Sequence, residues 1–251
     1  AEAGLPGYHY EHAALNPRRR LLAQARKGQY EGLEQRLQNP EEAPDFGPAA
    51  FNPRWGACIV GARPLMLAWN LNLNTRSPLL AQALAERLRE RGRKQLTANG
   101  EALRIPGQFR GLRAIGWYIP EFGRAQVSMN VTELAAAPML SLFQAAQEVG
   151  SAVGVQVTGS ELIGLAPASA LVLAGQQALE QQQQGLRTLA HHQNFPLDTA
   201  ITELQAGNPA EAIHVAINSL GLGELRPFNP QQKIIEYAWA QPETLIEVSE
   251  E

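Results

Sequence analysis

The sequence predicts an α+β protein. From residue 65 onward it reads as a ferredoxin-like split βαβ subdomain, an antiparallel sheet with helices on one face. Ahead of it, residues 1–64 read as the tail of a second α/β subdomain. Three observations lead there. The order after residue 65 is strand, helix, hairpin, helix, strand, which is the split βαβ arrangement. Two of those strands alternate apolar and polar residues, as half-buried strands do. The first sixty residues carry only one strand and two short helices, too little to bury a core alone.

Taken in order, Gly7-Tyr8-His9-Tyr10 reads as a strand that needs partners from elsewhere. Asn16-Pro17 is a cap and first-turn pair for a helix carrying Leu21, Leu22 and Ala25. It breaks near Gly28 and resumes through Tyr30, Leu33 and Leu37. Residues 44–63 combine Pro44, Pro48 and Pro53 with Gly47 and Gly56, which predicts a stiff, shaped loop. In the strand at 65–74, Leu65, Leu67, Trp69, Leu71 and Leu73 fall on one face. Met66, Ala68, Asn70, Asn72 and Asn74 fall on the other, so the exposed face turns amide-rich.

Ser77-Pro78 opens a helix whose stripe is Leu80, Leu84 and Leu88, running to Gly92. Residues 95–111, with Asn99-Gly100 and Pro106-Gly107, read as a flexible connection. A hairpin follows from Leu112 to Thr132. In its second strand Ala125, Val127, Met129 and Val131 oppose Gln126, Ser128 and Asn130. Pro138 opens the next helix, 153–158 is a strand, and a helix from Pro167 exposes Gln181 to Gln184. Residues 185–208 are weakly patterned, Asn208-Pro209 starts a further helix, and Ile234 to Trp239 reads as a last strand before an acidic tail.

Composition excludes several function classes. A net charge of −3, with no basic run beyond Arg18-Arg19-Arg20, argues against nucleic acid as partner. One cysteine, Cys58, leaves no internal disulfide and no multi-cysteine zinc site. No apolar run approaches a membrane span and the start has no signal-peptide pattern, so the expectation is a soluble, cytoplasmic protein without a metal. Dinucleotide, Walker, serine-elbow and zincin motifs are all missing. The histidines, His9, His12, His191, His192 and His214, form no ligand set or nucleophile–base pair at readable spacing. What remains is a polar small-molecule site. Its candidates are loop 44–63, with Asp45 and Arg63, and the sheet face of Asn70, Asn72, Gln126, Ser128 and Asn130. The same loop is equally well read as a plain crossover between subdomains.

A series of segments points further. PDFGP (44–48), WGACIVGAR (55–63), LAWNLNL (67–73), IGWYI (115–119), QVSMN (126–130), VTGSELIGL (157–165) and PFNPQQKIIEYAW (227–239) occur in one order. With ARKGQYEGL (25–33) they resemble the glutamate formiminotransferase family, including the transferase part of formiminotransferase-cyclodeaminase, over nearly the whole chain. The resemblance implies two α/β subdomains of similar fold, residues 1–64 being the C-terminal part of the first and 65–251 the second. It implies a folate-dependent enzyme of histidine degradation that moves a formimino group between N-formimino-L-glutamate and N5 of tetrahydrofolate, a co-substrate.

The implied folate-binding residues are Gly47, Pro48, Ala49, Ala50, Phe51, Asn52, Pro53, Arg54, Trp55 and Gly56, joined by Arg89. The family's general-base histidine has no counterpart here, which implies that an N-terminal third of the domain is missing or supplied by a separate chain. A homodimer is the other implied partner. Formyl transfer from 5-formyltetrahydrofolate to glutamate and a non-catalytic folate-binding module are the alternatives.

Overall fold

The computed structural model describes residues 4–193 and 208–240, with side chains from 186 to 193 left aside. The chain forms two compact units, Ala1–Pro64 and Leu65–Glu251.

In the first unit, β1 (Gly7–Glu11) pairs in parallel with β2 (Cys58–Ala62), Tyr8 lying opposite Ile59. Between them run α1 (Leu22–Ala25) and α2 (Leu33–Leu37). The Asn16 side chain accepts from Arg18 N, but the turn it caps is a 3-10 turn, Pro17–Arg19, and α1 begins only afterwards. The expectation that all of 44–63 is loop is corrected at its far end. Ile59 and Val60 are β-branched and find the edge of β1, so Cys58–Ala62 becomes a strand. Among the described residues, the buried apolar side chains of this unit are few, namely Pro6, Tyr8, Ala25 and Leu33.

The second unit is built on a four-stranded antiparallel sheet. Its strands are β3 (Leu67–Leu73), β6 (Leu112–Ile119), β7 (Arg124–Val131) and β8 (Val157–Ile163), in the order β6-β7-β3-β8. Leu67, Trp69, Leu71 and Leu73 are fully buried, with Val127, Met129 and Val131 beside them. Onto this apolar face pack α3 (Pro78–Leu88), through Leu84 and Leu88, and α4 (Met139–Ala152), through Leu142 and Phe143. Trp69 stacks with Phe143 at 6.2 Å. Gly116 of β6 lies so close to α3 that a Cβ there would collide with the backbone of Ala81 and Gln82. Helices α5 (Ala168–Gln193) and α6 (Pro209–Ser219) pack together. Two short helices, α7 (Pro230–Lys233) and α8 (Ile235–Ala240), close the described chain.

Three expectations fail here. The first is the strand at 153–158, which runs instead from Val157 to Ile163, because Gly154, at φ +82°, and the bond from Val155 N to Gly150 O turn the chain out of α4. Residues 93–105 are a hairpin rather than a connection. Strand β4 (Arg93–Leu96) pairs with β5 (Ala102–Ile105) across a turn in which Thr97 Oγ1 accepts from Glu101 N. Ile235 to Trp239 is helical rather than extended, and only Ile234 keeps an extended backbone, bridging Ala166. Ile234 and Ala238, four residues apart, are the buried pair, a helical spacing, and Ala238 N donates to Ile234 O. Most of the weakly patterned stretch 185–208 and the acidic tail lie outside the described residues.

Candidate functional site

The loop of the first unit is rigid for reasons visible in its residues. Asn52 Oδ1 accepts from Arg54 N and Trp55 N, each at 3.0 Å, and Gly56 N donates to Asn52 O at 2.8 Å. The Tyr30 hydroxyl donates to Pro53 O at 2.6 Å, and its ring packs against Phe51. Gly47 has φ +76°, and a Cβ there would collide with the carbonyl oxygen of Leu5. The amides of Arg54, Trp55 and Gly56 are thus spent within the loop. What the loop presents instead is a ring. Trp55 is 65% exposed, with the Arg54 guanidinium over it at 5.0 Å. Gly47, Pro48, Ala49 and Ala50 are exposed, while Phe51 and Asn52 are half-buried and Pro53 exposed.

Asp45 does not face solvent. Its carboxylate accepts from His9 N at 2.7 Å and from Arg19 Nη2 at 2.8 Å, and both the Arg19 and Asp45 side chains are almost fully buried. Arg63 pairs with Glu11 at 3.8 Å and lies over the Tyr10 ring. Both side chains therefore hold the loop's two ends to β1.

The polar face of the second unit departs from its expected exposure. Asn70, Asn72 and Gln126 are buried, Ser128 is half-buried and Asn130 exposed. The register sets Asn72 opposite Gln126 and Asn70 opposite Ser128. Gln126 Nε2 donates to Asn72 Oδ1 at 2.7 Å, and Asn72 Nδ2 donates to Glu224 Oε2 at 2.7 Å. Arg124 also binds the Glu224 carboxylate. Burial raises the pKa of Glu224, but hydrogen bonds from Asn72, Thr158 and Arg124, with the charge of Arg124, outweigh it and hold the carboxyl below its usual range. Glu224 and Arg124 had no sequence signal. Their pairing comes from the chain after α6 returning beside β8, where Ser160 N donates to Gly221 O.

Arg89 stands at the end of α3 with all three guanidinium nitrogens on protein acceptors. Nε reaches Gly92 O, Nη1 reaches Ala114 O and Nη2 reaches Glu86 Oε1, at 2.9 to 3.2 Å. Ala114 lies on β6, an edge strand, whose Gly116 N donates to Gln82 Oε1 and whose Leu112 O accepts from Glu90 N. The end of α3 therefore blocks an edge that would otherwise pair with another chain. Arg89→Ala is expected to lower the stability of the second unit by roughly 1–3 kcal/mol, measured by urea denaturation. A loss of folate affinity at unchanged stability would instead assign Arg89 to a ligand.

Comparison with known proteins follows this division of the chain. The Formiminotransferase domain family matches residues 68–204, and the Formiminotransferase domain, N-terminal subdomain, matches residues 1–63. The formimidoyltransferase-cyclodeaminase of Sus scrofa is 36% identical over 237 residues, covering 94% of this chain and 38% of the relative. That of Gallus gallus is 34% identical over 236 residues, with the same coverage of each chain, 94% and 38%. The glutamate formimidoyltransferase of Streptococcus pyogenes serotype M1 is 36% identical over 171 residues, 68% of this chain and 52% of the relative. The chain thus spans between about two fifths and one half of the length of these relatives. On the match of both subdomains, it belongs to the formiminotransferase family.

Proposed function

We propose that this chain serves folate-dependent one-carbon transfer, with tetrahydrofolate as co-substrate and N-formimino-L-glutamate as donor. The observation that carries the reading is the family match on both units, with relatives named glutamate formimidoyltransferase and formimidoyltransferase-cyclodeaminase. In the reaction, N5 of tetrahydrofolate bonds to the formimino carbon and the bond from that carbon to the glutamate nitrogen breaks. The glutamate nitrogen leaves with a proton. This chain's part is to bind and orient. The stiff loop Gly47–Gly56 supplies the platform, and the exposed Trp55 with Arg54 suits a ligand with flat rings and an anionic end, such as the pterin and benzoyl rings and glutamate carboxylates of a folate. A loop locked by Asn52 and Tyr30 pays little ordering entropy on binding.

The test is calorimetric titration with 5-formyltetrahydrofolate, a stable one-carbon folate. A dissociation constant near or below ~0.1 mM, about −5.5 kcal/mol, is expected. Trp55→Ala is expected to weaken it about five- to 150-fold, since stacking on an aromatic ring contributes roughly 1–3 kcal/mol. A Trp55→Ala protein that binds as tightly as the wild type would remove the loop from the site.

A further inference from the structure

Strands β4 and β5 pair with each other and, among the described residues, with no third strand. Every residue from Lys94 to Arg104 is exposed, so the hairpin stands clear of the core of its unit. A two-stranded hairpin is marginal in water by itself, and this one carries two further costs. Lys94 lies directly opposite Arg104 in the register, where like charges repel. Leu96 is 72% exposed and Leu103 55%.

Apolar surface and charge are sorted along the hairpin. The pairs next to the turn are Leu96 with Ala102 and Gln95 with Leu103. Those toward the base are Lys94 with Arg104 and Arg93 with Ile105. Paired residues share a face and successive pairs alternate. Leu96 and Leu103 therefore lie on opposite faces near the turn, with Lys94 and Arg104 behind the one and Arg93 behind the other. The charge continues past the base. Eight cations and two acids lie between Arg87 and Arg113, on a chain whose net charge is −3. Arg89 and Arg110 are engaged in ion pairs with Glu86 and Glu133. Arg91, Arg93, Lys94 and Arg104 have no ion pair among the described residues, and Arg104 Nη1 donates to the uncharged Arg91 O. Of the two acids, Glu90 accepts from Gly111 N and Glu101 sits at the turn.

An apolar patch on one face would suit a flat protein partner. Apolar side chains on both faces of a tip, with cations behind them, suit a medium that closes around the tip. We infer that this hairpin is a membrane-contact element, which sets its tip into the headgroup layer of an anionic phospholipid surface. The dimensions agree. The turn lies about 10 Å beyond the Lys94–Arg104 pair at roughly 3.4 Å per residue, and interfacial elements bury their apolar parts about 5–10 Å deep. Arg91, Arg93, Lys94 and Arg104 then meet the lipid phosphates. Glu101 holds the tip at headgroup level, short of the hydrocarbon. The inference does not depend on the folate reading of loop 47–56.

The test is co-sedimentation of the whole chain with vesicles of phosphatidylcholine, and with vesicles of phosphatidylcholine and phosphatidylserine in equal parts. Binding is expected to the second alone and should fall as salt is added. Lys94→Gln with Arg104→Gln should bind about thirty-fold more weakly, and Leu96→Ser with Leu103→Ser about tenfold more weakly. All four side chains are exposed, so both variants should stay folded. Removing the Lys94–Arg104 repulsion should leave hydrogen-exchange protection in the hairpin equal or higher, which separates lost binding from lost folding. No sedimentation with the phosphatidylserine vesicles, or equal binding to both kinds, would overturn the inference. So would a Leu96→Ser, Leu103→Ser protein that binds as tightly as wild type. In that last case, full competition by soluble poly-L-aspartate would assign the cations to an acidic protein surface instead.

Discussion

Asp45→Ala is expected to unfold residues 1–64 while the second unit stays folded. The carboxylate of Asp45 neutralises Arg19, whose side chain is only 6% exposed, and accepts the backbone N–H of His9 in β1. Removing it strands a buried guanidinium and a strand amide together. Breaking one side of a buried ion pair typically costs about 3–5 kcal/mol. The unit has little to set against that, since its buried apolar set among the described residues is Pro6, Tyr8, Ala25 and Leu33, and small units are marginal to begin with. Arg19 would keep only its bond from Nη1 to Ala43 O. Hydrogen exchange read amide by amide is the measurement. Protection should vanish along Gly7–Glu11 and Cys58–Ala62 and persist in Leu67–Leu73. Asp45→Asn, which can still accept hydrogen bonds but carries no charge, should lose less. Full protection of Gly7–Glu11 in Asp45→Ala would show that the pair contributes nothing. Because Asp45 opens the loop that ends at Gly56, 5-formyltetrahydrofolate binding should be lost along with the unit.

The parts of the fold that were legible were those whose evidence is local. Alternation in Leu67–Leu73 and Arg124–Val131 is written in adjacent residues and is seen as β3 and β7. The spacing of Leu84 and Leu88 similarly announces α3, and Ser77 caps it as its side chain suggests. Reading failed where tertiary pairing overrides local signal. Cys58–Ala62 looked like the end of a loop because its strand partner, β1, lies some fifty residues earlier. Ile234 to Trp239 carries β-favouring residues, but it is Ile234 and Tyr237, the latter from the helix that follows, that meet the core.

The candidate site shows the same division. The stiffness of 47–56 could be read from its Pro and Gly, whereas the loss of its amides to Asn52 could not, since Asn52 has no fixed habit outside its turn. Burial of the amide row was hidden because its partner, Glu224, is 152 residues from Asn72.

Glu224→Ala is expected to cost roughly 2–3 kcal/mol in urea denaturation, in the range for hydrogen bonds to a charged group, because the carboxylate orders the whole row. It accepts and cannot donate, so Asn72 must turn its NH₂ toward it and its carbonyl toward Gln126. Gln126 then donates through Nε2, and its Oε1 is left facing no donor among the described residues. The polarity of both buried amides thus follows from one ionised group. Without it, Asn72 keeps a buried NH₂ with no acceptor and Arg124 loses its anion.

The pH dependence supplies the sharper reading. The folded pKa of Glu224 lies below its ordinary value, so its contribution is complete above the unfolded carboxylate pKa, near 4.3. It is lost as pH falls through the folded pKa. Wild type should therefore lose stability over that acid interval, and Glu224→Gln should show a smaller loss there while being less stable at pH 7. Asn72→Asp reverses the logic. It sets a second carboxylate against Glu224, where two close acids resist ionising together. That variant should be destabilised at pH 7 and should recover stability relative to wild type as the pH is lowered. Parallel pH profiles for wild type, Glu224→Gln and Asn72→Asp would show that the amide row takes its order from something other than Glu224.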